Sequence, residues 1–211
     1  MVKKAIFFDL DGTITDSGEG IMHCAELTLA HYGLPIPTRK KMRSMVGPPL
    51  KDSFRRYGIP ESELDNATAY YRKHYLAVGQ FENSPYPGIS DVLQKLNADG
   101  HKLYVATSKP EAMAQNILRH FELDGNFEII CGAVSDANRS TKEEVIEHLL
   151  SLLDEKDSLV MVGDTIYDVN GAAYHNIPTV AVSWGYGVVD EMRAAGATIA
   201  NSMDELYELL K

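Results

Sequence analysis

The chain has 211 residues, 45% of them hydrophobic and 24% charged, with a formal net charge of −10. That length suits one sizeable domain, or a core domain carrying a smaller insert, and it is ample for a hydrophobic core. The negative charge, with no basic stripe interleaved with aromatics, argues against a nucleic-acid surface, and no apolar run approaches the roughly 18 residues of a membrane-spanning helix.

In chain order, Lys3 and Lys4 lead straight into the apolar run Ala5-Ile6-Phe7-Phe8. A strand over 3–9 is expected there, with no long apolar leader ahead of it, so the cytoplasm is the expected location. The strand ends on Asp9-Leu10-Asp11-Gly12-Thr13, two carboxylates two residues apart, which in extended chain face the same way and raise each other's cost of ionisation. Residues 17–80 then read as helical throughout, and residues 15–83 are expected to form an inserted helical domain between core segments 1–14 and 84–211. The insert holds 9 basic and 8 acidic residues, leaving 11 and 22 in the remainder, so the excess negative charge belongs to the core. Strands are expected at 102–107, 127–132, 158–163 and 179–184, with a weaker one at 197–200. Helices are expected at 88–98, 110–120, 142–153, 168–175 and 203–210. This alternation predicts an α/β fold with a doubly wound parallel sheet. Cys24 and Cys131 are far apart, outside any metal-binding spacing, and are expected to be incidental buried thiols.

Ligands of such sheets gather beyond the carboxyl ends of the strands. Asp9, Asp11, Thr107, Ser108, Lys109, Asp164 and Asp168 fall there, and Lys142 opens the helix after the third strand. Ser108-x-x-Glu111 and Thr141-x-x-Glu144 each have the form of a capping box. A cap or a first-turn acid is a sufficient reason for Asp164 or Asp168 taken singly. Four carboxylates on one edge, however, repel severely without a cation, and hard oxygen ligands suit Mg²⁺. Lys142, in a helical first turn that disfavours a cation, makes sense beside a bound anion, and its removal is expected to cost little stability.

Asp9-Leu10-Asp11-Gly12-Thr13, Thr107, Lys142 and Gly163-Asp164-x-x-x-Asp168 together resemble the four motifs of the haloacid dehalogenase superfamily of phosphatases, in the branch whose helical cap follows the first motif. The resemblance runs the length of the chain. It implies that Asp9 is a nucleophile forming an aspartyl-phosphate, and that Asp11 is the general acid and then the base. It implies that Thr107 and the Ser108 backbone hold phosphate oxygens, that Lys142 screens charge, and that Gly12 lets the backbone turn beside the ligand. Mg²⁺ is implied as the cofactor, held by Asp9, the Asp11 carbonyl, Asp164 and Asp168.

The stretches ATSKPEA, NRSTKEEVI and SWGYG are similar to phosphoglycolate phosphatases and 5′-nucleotidase-like enzymes, which implies a small phosphorylated metabolite as substrate. Arg39, Lys40, Lys41 and Arg43 in the cap either meet a second anionic group of that substrate or form a solvated helix face, and the solvated face is the better expectation. Gly47-Pro48-Pro49-Leu50 reads as a cap loop or an ordinary turn. A β-phosphoglucomutase-like phosphotransferase would share the core motifs, but its cap loop carries an arginine three residues after the glycine, where this chain has Leu50. A dehalogenase would need neither Asp11 nor a metal. A signalling receiver domain is shorter and lacks the xDGT continuation, and a binding protein without catalysis would have lost a motif residue. The seven histidines form no metal spacing. Monomer and dimer are equally compatible with the sequence.

Overall fold

A computed structural model describes residues 3–134, 139–153 and 158–211; Asn138, within one of the stretches quoted above, lies outside them. Contacts divide the chain into two compact units, 1–15 with 85–211 and 16–84.

The chain begins with β1 (Ala5–Phe8) and leaves the first unit through β2 (Thr15–Asp16). The second unit is helical. In α1 (Gly18–His31) the buried Ile21, Cys24, Ala25, Thr28 and Leu29 recur at helical spacing, which gives the helix one apolar face. Two short helices follow, α2 (Arg39–Met42) and α3 (Leu50–Arg56). The last, α4 (Leu64–Ala77), buries Leu64, Ala67, Thr68, Tyr71 and Tyr75 in the same rhythm. Phe54 meets Tyr71 edge-on at 6.0 Å, and Tyr71 stacks on Tyr75 at 5.5 Å, so aromatic rings fill this small core.

After β3 (Ser84–Pro85) the first unit resumes with α5 (Ile89–Ala98), β4 (Lys102–Pro110), α6 (Glu111–His120) and β5 (Ile129–Ala133). It continues with α7 (Lys142–Ser151), β6 (Leu159–Gly163), α8 (Ile166–Tyr174) and β7 (Thr179–Val182), then α9 (Val189–Ala194), β8 (Thr198–Ala200) and α10 (Met203–Leu210). The six longer strands form one parallel sheet in the order β5-β4-β1-β6-β7-β8. Alternation along β1 sends Ile6 and Phe8 into one core, with Leu93, Ile117 and Leu206, and Phe7 into the opposite one, with Val145, Leu149 and Ala172. Both faces are thus covered by helices, as a parallel sheet requires. The chain moves outward from β1 through β4 to β5, then returns to the other side of β1 at β6. That reversal opens a crevice beyond the carboxyl ends of β1, β4 and β6.

One expectation fails locally, and one helix was not foreseen. Ser108 does not cap a helix: β4 continues to Pro110, with a register shift after Ala106, and Pro110 is the residue preceding α6. The Glu111 carboxylate instead accepts from the Gly132 backbone N–H and from Arg139. The short α9, which buries only Met192, has too little periodicity to read from sequence.

Candidate active site

The crevice is built from strand ends. The Asp9 backbone N–H donates to Val162 of β6 at 2.8 Å, so the first carboxylate is set by the neighbouring strand as well as its own. Lys142, 4% exposed, enters from the first turn of α7. Its Nζ donates to the Ala106 carbonyl at 2.9 Å and lies 2.8 Å from Asp9 Oδ1 and 2.7 Å from Asp168 Oδ1. These two are charge contacts off the hydrogen-bond axis, and among the described residues neither carboxylate oxygen has an aligned hydrogen-bond partner. Thr141 and Glu144 do form the expected capping box, which fixes the start of α7 and hence the lysine.

Lys142 is therefore no ordinary first-turn lysine. It is buried between two carboxylates, and its loss would leave them uncompensated, at a cost of about 3–5 kcal/mol. That burial between two carboxylates is the feature its helical position did not reveal.

Asp168 also explains its own spacing from Asp164. Its Oδ2 accepts from the backbone N–H groups of Asp164 (3.2 Å) and Thr165 (3.0 Å) and from the Thr165 hydroxyl (2.8 Å). The residue thus caps the start of α8 with one oxygen and faces Lys142 with the other. Asp164 is fully buried, accepting from Thr13 Oγ1 at 3.2 Å and from the Tyr186 backbone N–H at 2.8 Å. A side chain on Gly12, whose φ is +88°, would overlap the Asp164 carboxylate. Gly12 thus makes room for Asp164 as well as turning the chain. Gly185 is needed for the same reason, since a side chain there would overlap Asp164 as well. The part of SWGYG in shaping Asp164 escaped the sequence reading. Its signal was two glycines closely following a strand end.

Ligand atoms of Asp9, Asp164 and Asp168 lie within 4.8 Å of one another, all buried. Burial pushes the Asp9 carboxyl up from its ordinary 3.8 to about 6, with Lys142 pulling it down and Asp168 repelling it. Burial, followed by the repulsion of Asp168 and Asp9, holds Asp164 well above the carboxylate range. Burial pulls the Lys142 ammonium down, but Asp168 and Asp9 outweigh it and hold it above the lysine range. Three buried carboxylates, two with poorly satisfied oxygens, share one cation, and a hard divalent ion fits this donor set.

The Thr107 hydroxyl hydrogen-bonds Asp9 and accepts from the Lys109 backbone N–H at 3.2 Å. Ser108 is exposed between them. Asp11 departs from the expected group of four. β1 ends at Phe8, so the two-residue alternation of a strand does not carry over to the Asp11 side chain, and its carboxylate meets Lys109 Nζ at 2.7 Å. In the helical unit, Arg39 pairs with Glu26 at 2.8 Å and with Glu19 at 3.1 Å, while Lys40, Lys41 and Arg43 are exposed. Gly47, also exposed, has φ +103° and so makes a turn that favours glycine.

A parallel sheet with buried aspartates, a lysine and a threonine at its switch point offers the donor set for a divalent ion and a phosphoryl group. Residues 6–182 match the sequence family described as haloacid dehalogenase-like hydrolase, and the chain belongs to that family. It is 43% identical, over 98% of its length and 72% of the relative's, to the tyrosine-protein kinase PtkA of Mycobacterium tuberculosis. It is 39% identical to a 5′-nucleotidase of Pseudomonas aeruginosa, over 90% of this chain and 86% of that one. A predicted phosphatase from Clostridium acetobutylicum shares 40% identity and superimposes with a TM-score of 0.93, covering 100% of this chain and 99% of the other. Within the family, the chain is a phosphatase of the hydrolase class.

Proposed function

We propose that the protein is a Mg²⁺-dependent phosphatase of a small phosphate monoester, working through an aspartyl-phosphate on Asp9. The observation that carries this reading is the buried Lys142 set between Asp9 and Asp168 while Asp164 closes the same cluster. Asp9, Asp164 and Asp168, with the Asp11 carbonyl, would hold the ion, which when bound neutralises these carboxylates and the substrate's phosphoryl oxygens.

In the first half-reaction Asp9 attacks phosphorus, the phosphorus–oxygen ester bond breaks, and Asp11 gives its proton to the departing alkoxide. In the second half Asp11 takes a proton from water, which attacks the phosphoaspartate and releases inorganic phosphate. Lys142 and the Thr107 hydroxyl hold the charge and position of the phosphoryl group, and the Ser108 backbone N–H adds a donor. Transfer through a loose in-line transition state asks for little beyond such positioning and charge.

Likeness to a 5′-nucleotidase supports a nucleoside 5′-monophosphate, and the sequence stretches named above support either that or phosphoglycolate. Residues 15–83 are read as the cap that chooses between them, in a protein of the cytoplasm. A second reading, transfer to an acceptor other than water, draws on the relative named as a tyrosine-protein kinase; Leu50 counts against its mutase form. A panel of phosphoglycolate, nucleoside 5′-monophosphates and sugar phosphates, assayed by phosphate release with Mg²⁺ and with chelator, tests the proposal. Metal-dependent release with a large spread in kcat/KM is expected. Undiminished turnover in excess chelator after extensive dialysis would contradict the metal assignment.

A further inference from the structure

Asp9 and Asp11 stand two residues apart beyond β1, and Thr107 and Lys109 stand two residues apart in β4, which runs parallel beside it with Phe8 opposite Val105. The two pairs answer each other: Thr107 meets Asp9, and Lys109 meets Asp11. Near the end of β4, Thr107 and Lys109 are buried and Ser108 between them is exposed.

Lys109 holds both oxygens of its partner, with Nζ 2.9 Å from Asp11 Oδ1 and 2.7 Å from Oδ2. The two side chains are only 6% and 17% exposed. Lysine is rarely buried unless paired, and its long stem loses rotamer freedom when fixed, so a solvated rim lysine would not settle here without reason. The contact is also directional. Gripping both oxygens restricts rotation of the carboxylate, and the Lys109 backbone N–H is itself tied to the Thr107 hydroxyl.

We propose that Lys109 is a positioning residue for the reaction: it holds the ionised Asp11 carboxylate against β4, and once one oxygen has taken up a proton and left Lys109 the other stays tied to it, so that the proton is delivered from one direction. The inference rests on Asp11 being the proton donor, as proposed above. Lys109 gives up no proton itself: the transferred proton passes from Asp11 to the leaving oxygen, and later from water to Asp11. What Lys109 contributes is orientation, and the loss of an ångström in placement of a reacting group can cost about 100-fold in rate.

The test compares an alkyl phosphate, whose leaving oxygen needs a proton, with 4-nitrophenyl phosphate, whose leaving anion is already stable. Lys109→Met, Lys109→Arg and Asp11→Asn are assayed side by side in the full chain. Lys109→Met is expected to lose about 100-fold in kcat/KM, which reports aspartyl-phosphate formation and not its later hydrolysis, on the alkyl ester while staying within a few-fold of the parent in kcat/KM on the aryl ester. Asp11→Asn should show the same selectivity more strongly, and Lys109→Arg, which can still grip a carboxylate with two donors, should recover much of the alkyl activity. Should Lys109→Met fail to fold, Lys109→Gln provides the same comparison. Equal losses on both esters would make Lys109 a structural ion-pair partner, and no loss on either would make it dispensable; both overturn the proposal while leaving the Asp11 assignment standing if Asp11→Asn remains selective. Absence of selectivity in Asp11→Asn itself would overturn the assignment and this inference together.

Discussion

The two units of the chain handle charge in opposite ways. In the sheet unit the charged side chains that matter are buried: Lys142 and Asp168 pair with side chains 4% and 1% exposed. In the helical unit the pairs lie at the surface, as in Arg39 with Glu19, 44% and 67% exposed, or Arg55 with Glu61, 48% and 73%. Exposed pairs of this kind contribute about 0–1 kcal/mol, whereas breaking a buried pair costs about 3–5 kcal/mol. Burial thus orders the expected effects of substitution.

The largest effect belongs to Asp9. Asp9→Asn removes the attacking oxygen and should reduce turnover to background on every ester, with the fold retained, because the substitution also relieves carboxylate repulsion. Activity within tenfold of the parent, measured on two unlike esters, would move the chemistry away from β1.

Lys142→Met comes next and should lower both activity and stability. The stability loss should be about 3–5 kcal/mol by denaturant unfolding in metal-free protein. A midpoint unchanged from the parent would place Lys142 among the ordinary first-turn lysines. The surface-versus-interior contrast would then lose its chief example.

The pH response sharpens the contrast. Folding raises the Asp9 pKa from 3.8 to about 6 and raises that of Asp164 as well. A folded state that holds these protons more tightly is favoured at and below about pH 4; the Asp9 part of that contribution is lost as pH rises through about 6, and the Asp164 part as pH rises through its own raised pKa. Metal-free protein should therefore lose thermal stability from these groups over that window, and Mg²⁺ should restore it, by more at pH 7 than at pH 5. Scanning calorimetry with chelator and with Mg²⁺ checks both. A metal effect independent of pH would disconnect the ion from these carboxylates.

The smallest effects are expected in the helical unit. Arg39→Ala should change stability by about 1 kcal/mol or less, its partners being exposed. Lys41→Ala and Arg43→Ala should leave folding intact and shift kcat/KM unequally across the substrate panel if they serve the second anionic group. Equal kcat/KM ratios throughout would return them to a solvated face.

How much of this was legible in the sequence depended on which rule governed each part. Buried parallel strands announce themselves as apolar runs, and the six-stranded sheet follows from Ala5–Phe8, Leu159–Gly163 and their counterparts. Asp9, Asp164 and Asp168 were legible because they follow the ends of β1 and β6, Thr107 because it closes the apolar run of β4, and Lys142 because it opens α7. Asp11 was misplaced in part, since a rule for extended chain was applied across the point where β1 stops. Ser108 and Glu111 fit a local capping pattern, but β4 continued past it because pairing with β5 resumes at Pro110. The support of Asp164 by Gly185 and Tyr186 depends on a contact across more than twenty residues, which no local pattern reveals.

The account stands most directly on a covalent bond between Asp9 and phosphorus. Rapid quenching of the enzyme during turnover of a nitrophenyl phosphate, followed by mass spectrometry of the peptide carrying residues 5–13, reads that bond. Phosphate on Asp9, labile to hydroxylamine, enriched in Asp11→Asn and missing from Asp9→Asn, is the predicted result. Full turnover with no phosphorylated Asp9 at any quench time in either the parent or Asp11→Asn, or phosphate on another residue, would contradict it.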